Sequence, residues 1–238
     1  MRATTDSRIL IAVLAALLTL SSCGAKKEEP ESDATAMPPS PEPARTPAPA
    51  HLTGDLTWTL DPGVGVGPLK KDGSESDLIR AYGQSAVTGT EVTNGDHGSS
   101  AASVVFANDP MRKVTIEWAD PGARRIPSRV TVEGDSSIWT LSGGVTLGTP
   151  LEELERLNGR PFELSGFDWD GAGGVSSWRD GHLTSLLKQG VTVSLRPRAA
   201  DRISEVYKTV VGDSTFTSDL GAMRAVHPRV YRIVVYFQ

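Results

Sequence analysis

The residues from 24 to 50 (GAKKEEPESDATAMPPSPEPARTPAPA) limit what this chain can fold into, because they cannot contribute to a hydrophobic core. They hold seven of the sixteen prolines and no aromatic side chain. Such a stretch cannot bury enough apolar surface to offset the entropy lost on ordering it. The sequence therefore predicts three segments: residues 1–22, a disordered Pro-rich tether over 23–50, and a folded part over 51–238.

The first segment has the features of a secretory signal peptide. Arg2 and Arg8 precede an apolar run over residues 9–20 (ILIAVLAALLTL), and small residues follow it. This run is shorter than the roughly 20 apolar residues that a transmembrane helix needs. We therefore expect residues 1–22 to be a signal peptide that is removed from the mature protein.

The apolar run ends in Leu20-Ser21-Ser22-Cys23, which resembles the lipobox of bacterial lipoproteins. The resemblance implies that a diacylglyceryl group alkylates the thiol of Cys23 and that the chain is cut just before this residue. Gly24 stands where an Asp would be the inner-membrane retention signal of some two-membrane bacteria. The resemblance therefore implies anchoring in the outer membrane, on its periplasmic side. The alternatives are another membrane of the envelope, or an ordinary signal peptide with an incidental cysteine.

Composition excludes several kinds of site and partner. Cys23 is the sole cysteine, so an internal disulfide and a cysteine-rich zinc site are both excluded. The formal net charge is -5, of which -4 lies on residues 51–238. Nucleic-acid binding needs an excess of Lys and Arg to displace counterions from phosphates, so we expect no nucleic-acid partner. The basic cluster of Arg124, Arg125 and Arg129 is interpreted as a solvated hairpin end.

The folded part shows mostly a two-residue periodicity. Apolar and polar side chains alternate over 113–118 (KVTIEW), 129–132 (RVTV) and 191–196 (VTVSLR), which predicts strands with one buried face. The last run, 230–237 (VYRIVVYF), is apolar on both alternating faces except at Arg232. This pattern predicts a strand in the middle of a mostly antiparallel sheet.

Two segments carry the signals of short helices. Ser74 can cap the first helix, with Asp77 at the third position of a capping box and Gly83 as a left-handed stop. The second, over 149–159 (TPLEELERLNG), has a threonine cap, a proline at the first helical position, a glutamate that completes a capping box and an Asn-Gly stop. Both helices are too short to be stable alone, so we expect them to pack on one face of the sheet.

The two helices define units, about 60–140 and 141–238, that look like one unit used twice. Residues 65–69 (GVGPL) lead into the first helix as 144–148 (GVTLG) lead into the second. This pattern of glycine, cap, leucine and glycine resembles the SmpA/OmlA family of outer-membrane-assembly lipoproteins and the related repeat of the β-lactamase inhibitor protein. The resemblance implies two related α+β repeats that form a curved sheet. We therefore expect an α+β fold with a mostly antiparallel curved sheet and two short helices.

The segment 158–181 (NGRPFELSGFDWDGAGGVSSWRDG) is unusual in its aromatic, acidic and glycine residues. Alternation over 167–170 (FDWD) would place both aromatic side chains on one face and both carboxylates on the other. This arrangement predicts a shallow site in which indole rings stack on a sugar or peptide and carboxylates accept hydrogen bonds. The candidate binding residues are Asp168, Trp169, Asp170 and Trp178.

Two alternatives remain open for this segment. The first is a core strand with two solvated aspartates, followed by a Gly-rich hairpin, because large aromatic side chains are commonly buried. The second is a calcium loop, since Asp168-x-Asp170-Gly171 resembles part of an EF-hand. That loop needs oxygen ligands where Ala172 and Arg179 stand here, so we expect no metal.

Signatures of catalysis are scarce in the sequence. No serine lies in a GxSxG motif, no two histidines have the spacing of a helical zinc motif, and a lipidated Cys23 cannot be a nucleophile. We therefore predict no catalytic residues and no cofactor. The favoured function is a non-catalytic envelope lipoprotein that binds or scaffolds a protein partner. Binding of cell-wall glycan or peptide is the alternative, and an envelope hydrolase that uses His182 or His227 is the least favoured.

We expect the Cys23→Ser variant to lose its membrane association. Acyl chains contribute about 0.8 kcal/mol per buried methylene, so several of them hold a protein on a membrane almost permanently. Membrane fractionation and the electrophoretic mobility of the mature chain measure this change. If both stayed as in the wild type, lipidation of Cys23 would be wrong.

Overall fold

The computed structural model describes residues 57–93 and 98–237. The signal peptide, Cys23 and the tether lie outside the described residues and stay predictions. In the part of the chain that is described, no helix is long and apolar enough to cross a membrane.

Short helices and mostly antiparallel strands make up the folded part, which confirms the predicted α+β class. The strands are β1 (Thr59–Asp61), β2 (Gly65–Val66), β3 (Leu69–Lys70), β4 (Val87–Thr93), β5 (Ser99–Val105), β6 (Val114–Asp120), β7 (Arg125–Glu133), β8 (Thr140–Leu141), β9 (Glu163–Ser165), β10 (Val175–Ser177), β11 (Val191–Arg196), β12 (Thr215–Thr217) and β13 (Arg229–Tyr236). The α-helices are α1 (Glu75–Tyr82), α2 (Leu151–Asn158), α3 (Thr184–Lys188), α4 (Glu205–Lys208) and α5 (Gly221–Ala225).

Six strands form the main antiparallel sheet, in the order β11-β13-β7-β6-β5-β4. The strands predicted over 113–118, 129–132 and 191–196 are confirmed as parts of β6, β7 and β11. The central position of the last strand is also confirmed, because β13 pairs with β11 on one side and β7 on the other.

The two faces of β13 differ in burial. Ile233 and Val235 point into the hydrophobic core and are fully buried. On the opposite face Val234 lies beside Thr131 of β7 and is 8% exposed, whereas Tyr236 on the same face is 44% exposed. Only one face of this strand is therefore fully covered.

Two small sheets cover the core side of the domain, with the orders β3-β2-β1-β8 and β10-β9-β12. β1 and β8 pair in parallel, and the other pairs are antiparallel. Buried side chains of all three sheets belong to one continuous hydrophobic core, whose largest members are Trp139, Trp178 and Phe162. These three aromatic side chains therefore lie in the core that the sheets share.

Helix α1 confirms the predicted capping box. The backbone N and the Oγ of Ser74 each donate to Oδ2 of Asp77 at 2.9 Å. The hydrogen bonds from Ser74, with those from Arg80, lower the pKa of the Asp77 carboxyl. Gly83 ends the helix with a positive φ of 89°, but its ψ of 151° is extended, so the predicted left-handed helical stop is wrong.

Helix α2 begins one residue later than predicted. Pro150, with a ψ of 156°, is the N-cap, so the predicted cap at Thr149 is wrong. Oγ1 of Thr149 instead donates to the carbonyl of Thr146 at 2.8 Å and closes the preceding turn. The predicted stop is confirmed, because Gly159 has the left-handed conformation, with φ 78° and ψ 0°.

Three further helices, α3, α4 and α5, have only four or five residues each, so the expectation of two helices is wrong. Each has a single buried residue, namely Leu186, Tyr207 and Met223 respectively. One buried side chain produces no periodic pattern, so these helices could not be predicted from hydrophobic periodicity.

Asn158 joins the end of α2 to the turn that leads into α3. Its side chain is fully buried, and Nδ2 donates to the carbonyls of Arg160 and Trp178 at 3.0 Å each. Its Oδ1 accepts the backbone N–H of Leu183 at 3.2 Å. This single amide therefore satisfies three backbone groups in two segments.

We expect Asn158→Leu to lower the free energy of unfolding by about 3 kcal/mol, because each buried polar group without a partner costs about 1–3 kcal/mol. Urea unfolding of the whole chain measures this loss. Glu152→Gln, on the exposed side of the same helix, is the control and is expected to change stability by less than about 0.5 kcal/mol. Equal effects of the two substitutions would contradict the role of Asn158.

Candidate functional site

The structure separates the aromatic residues that the sequence placed on one face. Asp168 has a positive φ of 58°, which breaks the extended backbone over 167–170. As a result Phe167 is buried, whereas Trp169 is 41% exposed and both aspartates are exposed. The predicted alternation is therefore wrong: Trp169 lies with Asp168 and Asp170 at the surface.

A tight turn over residues 166–173 presents Trp169 at the surface. The backbone N of Gly173 donates to the carbonyl of Gly166 at 2.9 Å, and Trp169 Nε1 donates to the same carbonyl at 3.1 Å. A Cβ on Gly173 would lie 1.9 Å from the carbonyl oxygen of Leu195, so only glycine fits against β11 here. The turn is thus held against the main sheet, and the indole of Trp169 is held by the turn.

Trp178 does not join this group. Its side chain is 1% exposed and packs against Phe162, with 5.2 Å between the ring centroids. The prediction that Trp178 stacks on a ligand is therefore wrong, because a core indole has no face free for stacking. For Trp178 the core interpretation is the correct one.

Asp168 and Trp169 line a cleft of about 320 Å³, which adjoins a larger one of about 630 Å³. The two share the side chains of Arg196, Pro197, Arg202 and Tyr231, so they form one continuous depression. We call it the arginine cleft, after the five arginines that line it: Arg196, Arg198, Arg202, Arg229 and Arg232.

Pairing of β11 with β13 creates the centre of the arginine cleft. Arg196 and Arg229 are direct partners in the antiparallel ladder, and Arg232 is the partner of Ser194 two residues before Arg196. Like charges directly opposite each other destabilise a sheet. A bound anion would remove this repulsion, so two adjacent arginines are typical of a site that binds an anion.

Tyr231 lies between two of the arginines. The guanidinium of Arg196 is 4.7 Å from the ring centroid, and that of Arg232 is 5.3 Å from it. Arg232 also donates through Nη2 to the hydroxyl of Tyr231 at 3.1 Å. The ring therefore orients both cations by cation–π contacts and a hydrogen bond.

Two of the five arginines have carboxylate partners. Arg196 forms an ion pair with Asp135 at 3.0 Å, but Asp135 is 95% exposed, so this pair stabilises the fold little. Nε of Arg232 lies 3.3 Å from Oε2 of Glu133, without the geometry of a hydrogen bond. Both carboxylates can therefore give way to a bound anion.

The other three arginines have no carboxylate within 4 Å among the described residues. Arg202 donates only to the carbonyl of Pro197, at 3.5 Å, and Arg198 is exposed. Arg229 donates through Nη1 to the carbonyl of Gly148 at 3.1 Å, while its buried Nε has no partner. The cleft thus holds unneutralised positive charge in a folded part whose net charge is -4.

The Trp169 end of the cleft is more apolar. Phe167 and Tyr207 stack there, with ring centroids 6.0 Å apart. Burial, together with a hydrogen bond to Asp168, raises the pKa of Tyr207 to about 12. The Asp168 carboxylate is therefore engaged by the phenol, and the exposed ring of Trp169 is free to contact a ligand.

The arginines of the cleft were not among the predicted site residues, and the only basic cluster noted in the sequence, Arg124, Arg125 and Arg129, was interpreted as a solvated hairpin end. Within that cluster Arg129 pairs with Glu117, and Arg124 contacts Glu75 and the carbonyl of Ala102, so neither is free for a ligand. The stretches RPRAADR (196–202) and RVYR (229–232) carried a usable signal. Only the strand pairing, which sequence spacing does not reveal, brings them together.

No group of three or more His, Asp, Glu or Cys residues in the described ranges could hold a metal ion. Nδ1 of His227 lies 3.8 Å from Asp201, and His182 is exposed beside Gly159. Neither histidine is hydrogen-bonded to a serine within the described part of the chain. These two histidines therefore form no hydrogen-bonded serine–histidine pair in the described ranges.

Comparisons with protein-family models, with curated proteins and with solved structures found no match to this chain.

Proposed function

We propose that this protein is a non-catalytic lipoprotein of the cell envelope, whose folded part binds a protein partner at the periplasmic face of the outer membrane. The Leu20–Cys23 motif after a short apolar run supports the anchor. A Pro-rich chain reaches about 3.1 Å per residue, so the tether spans up to roughly 80 Å. The folded part could then meet partners well away from the membrane surface.

The arginine cleft carries the proposal of a binding function. Its most telling feature is the direct pairing of Arg196 with Arg229, which costs stability in the free protein. A carboxylate between two guanidinium groups relieves this repulsion and forms charge-assisted hydrogen bonds with both. The partner is therefore expected to present an acidic segment.

The chemistry of the cleft supports binding rather than catalysis. A guanidinium stays protonated at any physiological pH, so it donates hydrogen bonds but does not exchange protons with a substrate. Asp168, one of the two carboxylates adjacent to Trp169 in sequence, is engaged by Tyr207. These groups can hold an anion in a fixed orientation.

Cross-linking in intact membranes, followed by identification of the captured proteins, tests the proposal. We expect Arg202→Glu to lower the yield of the captured partner at least about tenfold, because reversing a charge at a binding site costs more than 1.4 kcal/mol. Lys188→Glu makes the same change of charge at an exposed position outside the cleft and should leave the yield unchanged. Equal yields from both variants would contradict partner binding in the cleft.

Binding of cell-wall glycan or peptide is a second candidate, which the exposure of Trp169 within the same cleft favours. Sugar rings stack on exposed indoles, and the carboxylates of wall peptides match the arginines. In this case the ligand would lie across both parts of the cleft, with its ring portion on Trp169.

A titration of tryptophan fluorescence with soluble muropeptides tests this second candidate. Trp118, Trp139 and Trp178 are buried, so Trp169 is well placed to report a ligand. We expect a response in the wild type that Trp169→Ala loses. Ile203→Ala, at a position 86% exposed outside the cleft lining, should retain it. A wild-type chain that gives no response would remove this candidate.

A further inference from the structure

Strand β4 forms one edge of the main sheet. All seven residues from Val87 to Thr93 pair with β5 in a continuous register without a bulge. On its other side, no strand of the described chain pairs with it. β4 therefore offers a row of backbone donors and acceptors along a free edge.

The opposite edge of the same sheet is protected. Gly174 forms a bridge with Ser194 of β11, and the N–H of Leu195 donates to the carbonyl of Gly173 at 2.9 Å. β11 also has a bulge between Ser194 and Leu195. Covering segments, bulges, lysines and prolines are the usual means of preventing edge-to-edge pairing. Within the described residues, no segment pairs over the free edge of β4, and the strand (VTGTEVT) has no bulge, lysine or proline; Glu91 is its one charged residue.

The hydrogen bonds beside β4 establish which of its backbone groups are free. Phe106 N donates to the carbonyl of Ala86 at 2.8 Å, so these two residues form a hydrogen-bonded pair just outside the ladder. Hydrogen-bonded and non-hydrogen-bonded pairs alternate along antiparallel strands. The N–H and C=O groups of Gly89, Glu91 and Thr93 consequently point away from β5. Among them, the carbonyl of Glu91 accepts a hydrogen bond from Oγ1 of Thr90 at 3.4 Å, which leaves its second lone pair available.

The sequence of β4 is complementary to itself in the antiparallel direction. When two copies are centred on Thr90, the outward-pointing Gly89 of each pairs with Glu91 of the other. Thr88 then faces Val92, and Thr90 faces its own copy. No two like charges are opposite each other, and the Thr–Thr pair can form a hydrogen bond across the strands.

We propose that two copies of this protein associate through their β4 strands, antiparallel and centred on Thr90. The pairing of the two β4 strands adds backbone hydrogen bonds between Gly89 of each copy and Glu91 of the other. The two main sheets thereby become one continuous sheet. The partner is a second copy because the central register places each residue of one β4 opposite a compatible residue of the other. This inference is independent of the ligand of the arginine cleft.

Cysteine cross-linking of the full chain in its own membrane tests the register. In this pairing the two Thr90 residues form a non-hydrogen-bonded pair with their Cα atoms about 4.5 Å apart. That separation lies within the range of about 4.4–6.8 Å in which a disulfide forms. We therefore expect Thr90→Cys to give a disulfide-linked dimer under mild oxidation.

Thr88→Cys is the matched control, because Thr88 is on the same strand and the same face. It would lie four residues, or roughly 13 Å, from its own copy, which is too far for a disulfide. The wild-type chain, with Cys23 alone, controls for cross-links through the native thiol. No dimer from Thr90→Cys, or equal amounts from both variants, would overturn the proposal.

A second substitution tests the association without oxidation. Thr90→Lys places two like charges directly opposite each other, so we expect the dimer to be lost. The amount of dimer is measured with a cross-linker that does not react with amines, because the substitution itself adds an amine. Thr88→Lys, which faces Val92, should retain most of it. Circular dichroism of both variants checks that the fold is unchanged. A dimer that survives in Thr90→Lys to the same extent as in Thr88→Lys would contradict the proposed centre.

Discussion

Strand β13 ends the described chain and lies between β11 and β7, so the main sheet is continuous only when this strand is in place. Its residues Ile233 and Val235 enter the core that the main sheet shares with the two small sheets. The same pairing sets Arg229 against Arg196. One interaction between strands therefore determines both the continuity of the core and the position of the candidate site.

The distribution of charge follows from this arrangement. Elsewhere on the main sheet, Arg129 is matched by the carboxylate of Glu117. In the cleft, Arg198 and Arg202 have no such match among the described residues. A mildly acidic protein can thus carry a local positive field, and the average charge says little about the sign of the surface that a partner meets.

Patterns of local origin could be predicted from the sequence, whereas those that depend on distant pairing could not. The alternation in β6 and β11 and the capping box of Ser74 and Asp77 arise within a few residues, and the structure confirms them. The surface position of Trp169 depends on the positive φ of Asp168, which alternating residue types do not show. The arginine cleft depends on two strands more than thirty residues apart, and the arginines of each stretch do not reveal that the two stretches meet.

The late position of β13 in the chain also affects how the domain forms. β7 must wait for a partner strand that follows it by roughly 100 residues, and such distant pairings make folding slow. Until β13 has been synthesised, β7 and β11 have no strand between them and the main sheet stays divided. The whole sheet, and the cleft that its β11–β13 pairing creates, therefore form together.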